Sequence, residues 1–194
     1  MPSKTTKPAK AKPAAAKRTA GSKTAKATAG KTAVAKKAVA SNPLMERWAT
    51  PFEMPPFDRV RAEHFLPAIE RGFADNLVEI DAIAGTSAAP TFANTIDALE
   101  KAGRLLDRVS AVFFNLSGTD TTPELQAIER DVAPRYAKHS MGIYQNAKLF
   151  ARVDALMQNA KRLGLTLEQT RVLERYHRGF VRAGANLDKK AKAR

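Results

Sequence analysis

The chain has 194 residues, a formal net charge of +14 and no cysteine. That length allows one or two domains, and the missing thiols exclude a disulfide framework and a thiolate metal site. No run reaches the eighteen or so apolar residues of a membrane helix, and the N-terminus lacks the apolar stretch of a secretory signal, so the expectation is a soluble, unexported, cytoplasmic protein with no membrane contact.

The charge is unevenly placed. Residues 1–41 contain ten lysines, Arg18 and no acid, whereas residues 42–194 contain 22 basic and 19 acidic side chains. The segment is built from Lys, Ala, Thr, Pro, Ser and Gly, with Met1, Val34 and Val39 as its only larger apolar residues. It cannot bury enough surface to offset an ordering cost of about 1–2 kcal/mol per residue. Residues 1–41 are therefore expected to be a disordered basic tail. The texture "KPAKAKPAAAK" resembles the tails of linker-histone-like bacterial proteins. It reads as a solubilising leader, with non-specific polyanion contact as the functional alternative, since spaced lysines displace counterions without reading sequence. An organellar transit peptide fits less well, because such peptides are Arg-rich and amphipathic.

Residue 42 opens a different composition: "NPLMERWATPFEMPPFDRV", rich in proline and aromatics. Trp48, Phe52 and Phe57 read as anchors strapping an extended segment across helices. A helix follows at 65–84 with Phe65, Ile69, Phe73, Leu77, Ile80 and Ala84 on one stripe, Pro67 being tolerated near its start. The spacing of Phe92, Ile96, Leu99, Gly103, Leu106, Val109, Phe113 and Leu116 predicts a long central helix over 92–116. Leu105, Val112 and Phe114 lie off its main face and are the expected uncovered seam. Gly103 costs up to about 1 kcal/mol there, which a close helix crossing would offset.

A third helix is predicted to open at Thr122 with Pro123 at its first position. It carries Leu125, Ile128, Val132, Tyr136 and Ile143, with a kink or break near Val132 caused by Pro134. Asn146 caps a fourth, with Leu149, Val153, Leu156 and Leu163 inward and Gly164 as its stop. Thr166 and Gln169 have capping-box spacing and begin a fifth, which buries Leu173, Tyr176, Phe180 and Ala183. The closing "ANLDKKAKAR" supplies neither a cap nor a turn residue after Asn186 and its polar pattern reads as helix continuing, so the chain is expected to be a fragment. The connections are short, which favours antiparallel neighbours, and no alternating strand pattern occurs. The fold class is all-α.

These residues assemble no reaction centre. His64, His139 and His177 have no HExxH context; "EHFLP" at 63–67 has the wrong order and spacing. Glu174 and His177 share a helix face at i+3, which a solvated pair explains. Ser110, Ser117 and Ser140 lie in no GxSxG elbow, "GTSAAPT" and "SGTDTT" are not phosphate cradles, and Glu129 and Asp131 point differently on their helix. Catalytic, metal-binding and cofactor-binding residues are all read as none.

The stretch "NPLMERWATPFEMPPFDRVRAEHFLPAIERGFADNLVEIDAIA" resembles the opening segment of the oligopeptidase A and peptidyl-dipeptidase (dipeptidyl carboxypeptidase) family, relatives of thimet oligopeptidase. "PTFANTIDALEKAGRLLDRVSAVFFNLSGTDTTPELQAIERDVAPRYAKH", "LFARVDAL" and "LTLEQTRVLERYHRGFVRAGANLD" continue the likeness over residues 42–194. The start "W…PF…PPFD" favours the peptidyl-dipeptidase branch. The resemblance implies about five antiparallel helices forming part of a clamshell metallopeptidase lobe. It also implies short peptides as substrates of the complete enzyme, and zinc held by an HExxH helix and a later Glu, none of which occurs in these 194 residues. Three functions follow: an N-terminal piece of a zinc peptidyl-dipeptidase, inactive alone and prone to self-association; a helical scaffold with a nucleic-acid-binding tail; or a helical module regulating a full-length relative.

Overall fold

A computed structural model describes residues 41–187, so the expectations for residues 1–40 and for 188–194 lie outside the described residues. Among those described, every regular element is helical. The all-α class stands.

The strap at 41–64 is anchored by Leu44, Trp48 and Val60. Leu44 and Trp48 are buried, and the Trp48 indole N–H donates to the Pro43 carbonyl at 2.9 Å. Arg108 stacks its guanidinium 4.5 Å from the Trp48 ring centre and donates to the Leu44 carbonyl at 2.9 Å. Phe52 and Phe57 are not anchors: they are 97% and 46% exposed. A 3-10 turn at Pro51–Glu53 holds Phe52 and Glu53 at φ of 58° and 53°, which swings this part of the strap outward. Of the three aromatics expected as anchors, Trp48 alone is one.

Helix α1 spans Phe65–Gly85 and buries Phe65, Ala68, Ile69, Gly72, Asn76 and Ile80. Its inward face thus runs through Gly72 and Asn76, and Leu77, expected inside, is 44% exposed. The change of register follows from close approach. A methyl on Gly72 would stand 2.9 Å from the Leu106 Cα, so α1 meets its neighbour at its smallest residue.

The predicted long helix over 92–116 is three pieces. Thr91 caps a π-helical turn at Phe92–Asp97, with Asn94 completing a reciprocal capping pair. Helix α2 (Ala98–Lys101) follows, then Gly103 at φ 81°, then α3 (Arg104–Thr119). Gly103 is therefore a left-handed break rather than a mid-helix crossing point, a conformation open chiefly to glycine. The apolar period survives the break although Leu99 on α2 and Leu106 on α3 are buried in different clusters. Val112 is buried, Leu105 is half-buried, and only Phe114, at 44%, remains exposed from the expected seam.

Helix α4 runs over Pro123–Tyr144 with the Thr122 hydroxyl accepting from the Leu125 N–H. Pro134 does not break it; the residue is exposed, so water can meet the carbonyl its missing N–H would have served. Helix α5 (Ala147–Asn159) starts at Asn146, whose side-chain oxygen accepts from Lys148 and Leu149 N–H. It ends before Leu163, which is 40% exposed beyond a 3-10 turn at Ala160–Arg162.

Helix α6 (Leu167–Arg182) has the predicted Thr166–Gln169 capping box. It does not run on. Gly184 adopts φ 80°, its N–H donates to Val181 and the Ala185 N–H to Phe180, which is the Schellman arrangement that closes a helix.

Two apolar clusters result. One joins the strap to α1, α3 and the first half of α4 through Trp48, Phe65, Ile69, Val109, Phe113 and Val132. The other joins the end of α1 and the π turn to α5 and α6 through Ile80, Ile96, Leu149, Val153, Leu173 and Phe180.

Candidate functional site

One buried polar side chain lies on α1 between residues of the two clusters. Asn76 is buried on α1 and its side-chain oxygen lies 2.7 Å from His139 Nε2 on α4. The His139 ring packs on Phe73 with centroids 4.7 Å apart. Burial holds the His139 pKa below its ordinary value, so the ring is neutral near pH 7 and Nε2 can donate to the amide. One turn on, the Gly103 N–H donates to the Glu79 carboxylate at 2.6 Å, tying the break between α2 and α3 to α1.

Beside Asn76 lies a recess of about 320 Å³ lined by Ile80, Glu100, Asp107, Tyr144, Tyr176 and Phe180, among others. Burial raises the Asp107 pKa. The Tyr176 phenol is pushed up by burial and by its hydrogen bond to Glu100. Both shifts are toward the protonated form.

The other candidates are separate. His64 Nδ1 accepts from the Arg61 N–H at 3.0 Å, stapling the turn before α1. His177 pairs with Asp154 on α5 at 3.0 Å rather than with Glu174, so it joins two helices. Ser110 Oγ donates to the Leu106 carbonyl and lies 2.6 Å from the Tyr136 hydroxyl; Ser117 bonds Glu129; Ser140 is exposed. No group of three His, Asp or Glu side chains suited to a metal comes together among the described residues. The three histidines belong to three unconnected contacts. No helix among the described residues is long and apolar enough to cross a membrane.

The buried polar residues are the part sequence reading missed. Besides Asn76, Arg152 on α5 is 7% exposed and donates to the Thr86 and Ala88 carbonyls and to Asn94 Oδ1. Asn76 had one available signal: it falls at a core step between Gly72 and Ile80. Arg152 had none, because its partners, two backbone oxygens and the Asn94 side chain, are distant in sequence.

No family model matches the chain. Individual proteins do. The chain is 43% identical over 154 residues to the dipeptidyl carboxypeptidase of Salmonella typhimurium, covering 79% of this chain and 23% of that protein. The Escherichia coli protein of the same name is 40% identical over 153 residues, 79% of this chain and 22% of its own length. Oligopeptidase A of Escherichia coli is 25% identical over 154 residues, with 79% and 22% covered. The chain thus spans less than a quarter of the length of these relatives. Matched by both groups of proteins over the same share of its length, the chain is homologous to part of proteins of the dipeptidyl carboxypeptidase and oligopeptidase A type, of which it spans 22–23%.

Proposed function

We propose that residues 42–194 are the N-terminal helical region of a zinc-dependent peptidyl-dipeptidase or oligopeptidase that hydrolyses short peptides when complete, working in the cytoplasm. The observation that carries this is the 43% identity over 154 residues to a dipeptidyl carboxypeptidase. In this reading residues 1–41 form a separate basic segment, and the helical part supplies scaffold rather than chemistry. The zinc implied by the family finds no fitting donor set here: His64, His139 and His177 are each engaged apart from one another. No step of hydrolysis is assigned to these residues.

Two measurements test the reading. Sequencing the gene past codon 194 should show an in-frame continuation encoding HExxH; a frame with no such continuation would overturn it. The purified 194-residue chain should release no C-terminal dipeptide from an N-blocked peptide and keep no stoichiometric zinc after dialysis. Cleavage by the purified chain, free of host peptidases, would refute the assignment of a scaffold role.

A further inference from the structure

Charge is divided within the helical unit. Residues 42–132 carry eight Lys or Arg against fifteen Asp or Glu, and residues 133–187 carry ten against three. Much of that excess stands on one line. Arg171, Arg175, Arg178 and Arg182 recur on α6 at steps of four, three and four, all exposed, on the side opposite the buried Leu173 and Phe180. At 1.5 Å per residue the row is about 16 Å long. None of the four makes an ion pair with any described residue, although Glu168 and Glu174 lie on the same helix.

The row is not purely charged. Leu167 is 73% exposed, and a shallow, largely apolar groove of about 460 Å³ lies among Leu167, Glu168, Arg171, Val172 and Arg175. The two aromatics of α6, Tyr176 and Phe180, face inward against the second apolar cluster. A nucleic-acid strand would gain phosphate contacts here but no stacking platform, and would leave Leu167 unused.

We propose that this face of α6 docks a polypeptide helix bearing carboxylates and apolar side chains on one face. Arginines at i, i+4, i+7 and i+11 match the spacing of a facing helix, and guanidinium–carboxylate pairs form well-directed, charge-assisted bonds. Leu167 and Val172 supply the apolar seat. The contact is not with a second copy: α1 is the acidic helix of this chain, but its Glu70 and Asp75 are already paired with Arg135 and Arg71, and an α6-to-α1 contact between copies would be heterologous rather than a self-complementary pair.

The test uses the whole chain and three fluorescent probes: a helical peptide with Glu at i, i+4, i+7 and i+11 flanked by Leu, a scrambled isomer of the same composition, and a single-stranded oligonucleotide. The basic segment at 1–41 sees equal charge on both peptides. Arg171→Glu/Arg178→Glu should weaken the patterned peptide at least tenfold, and Lys101→Glu/Arg104→Glu, an equal charge change elsewhere, less than threefold. Leu167→Gln should weaken the peptide and leave the oligonucleotide unaffected. A patterned peptide with Lys in place of Glu should bind the reversed variant better than the original chain. If circular dichroism shows the reversed variant unfolded, Arg171→Gln/Arg178→Gln is read by the same criterion. Equal binding of the scrambled isomer, or no effect of the arginine variants, overturns the proposal. So does an equal loss of oligonucleotide binding, which makes the row a phosphate surface. Concentration-dependent self-association abolished by the same variants also overturns it, in favour of a homotypic contact.

Discussion

Gly72 on α1 lies against the backbone of Leu106 on α3, and a Cβ at Gly72 would stand 2.9 Å from the Leu106 Cα. Backbone cannot step aside as a flexible side chain can. Gly72→Ala should therefore destabilise by about 1–3 kcal/mol, the range for overpacking a close-fitted site. Gly103→Ala should also destabilise, from its left-handed backbone and from contact with Asn76. Gly118→Ala, with nothing within 4 Å inside α3, should be neutral or gain up to about 1 kcal/mol. Urea midpoints for the three variants check the ranking; an unshifted midpoint for Gly72→Ala refutes the close crossing.

Trp48 and Phe52 are four residues apart in the strap and differ completely in burial. Trp48→Ala should cost about 3–5 kcal/mol, the usual loss for a large buried aromatic. Phe52→Ser should change stability by less than about 0.5 kcal/mol, as surface substitutions do. Thermal melts measure both. A large loss from Phe52→Ser would mean that the ring is covered in solution.

How far the sequence could be read is clear from these same residues. Helix starts were legible because they depend on neighbours in sequence: Thr122 with Pro123, Asn146, and Thr166 with Gln169 all cap as expected. Contacts between distant residues were not. Gly103 falls on a helical apolar period, and only the tertiary pairing of its N–H with Glu79 and its left-handed φ show it to be a break. Gly184 carries the terminator of α6 two residues before Asn186, yet a lone glycine followed by polar residues looks like fraying helix. The arginine row on α6 repeats at visible helical steps. It was obscured by totals in which an acidic first part of the helical unit cancels a basic second part.

His139 gives a pH dependence with a definite sign. Its folded pKa is lowered by burial, so in the interval below the unfolded value near 6.5 the unfolded chain binds more protons. The contribution of His139 is fully present above pH 6.5 and is lost as pH falls through that interval to the folded pKa. His139→Gln, which can still bond Asn76, should flatten the stability profile between about pH 7 and 5. Parallel profiles for the two chains would show that His139 titrates alike in both states.

Removing residues 1–41 should leave the thermal midpoint almost unchanged and abolish most affinity for duplex DNA. The segment contains eleven cations and no acid; full engagement would give a slope of log K against log salt of about −10. Equal DNA affinity with and without the segment would locate polyanion binding elsewhere.

Arg152 binds the Thr86 and Ala88 carbonyls at 3.1 and 3.0 Å and Asn94 Oδ1 at 2.8 Å, and no carboxylate is paired with it. Carbonyl oxygens have no proton to gain in the ordinary pH range, and a buried contact is little screened by salt. The loop between α1 and the π turn is therefore fastened to α5 by a clasp that neither mild acid nor salt undoes. Releasing the loop alone would strand a guanidinium in the interior, so loop and helix must open together.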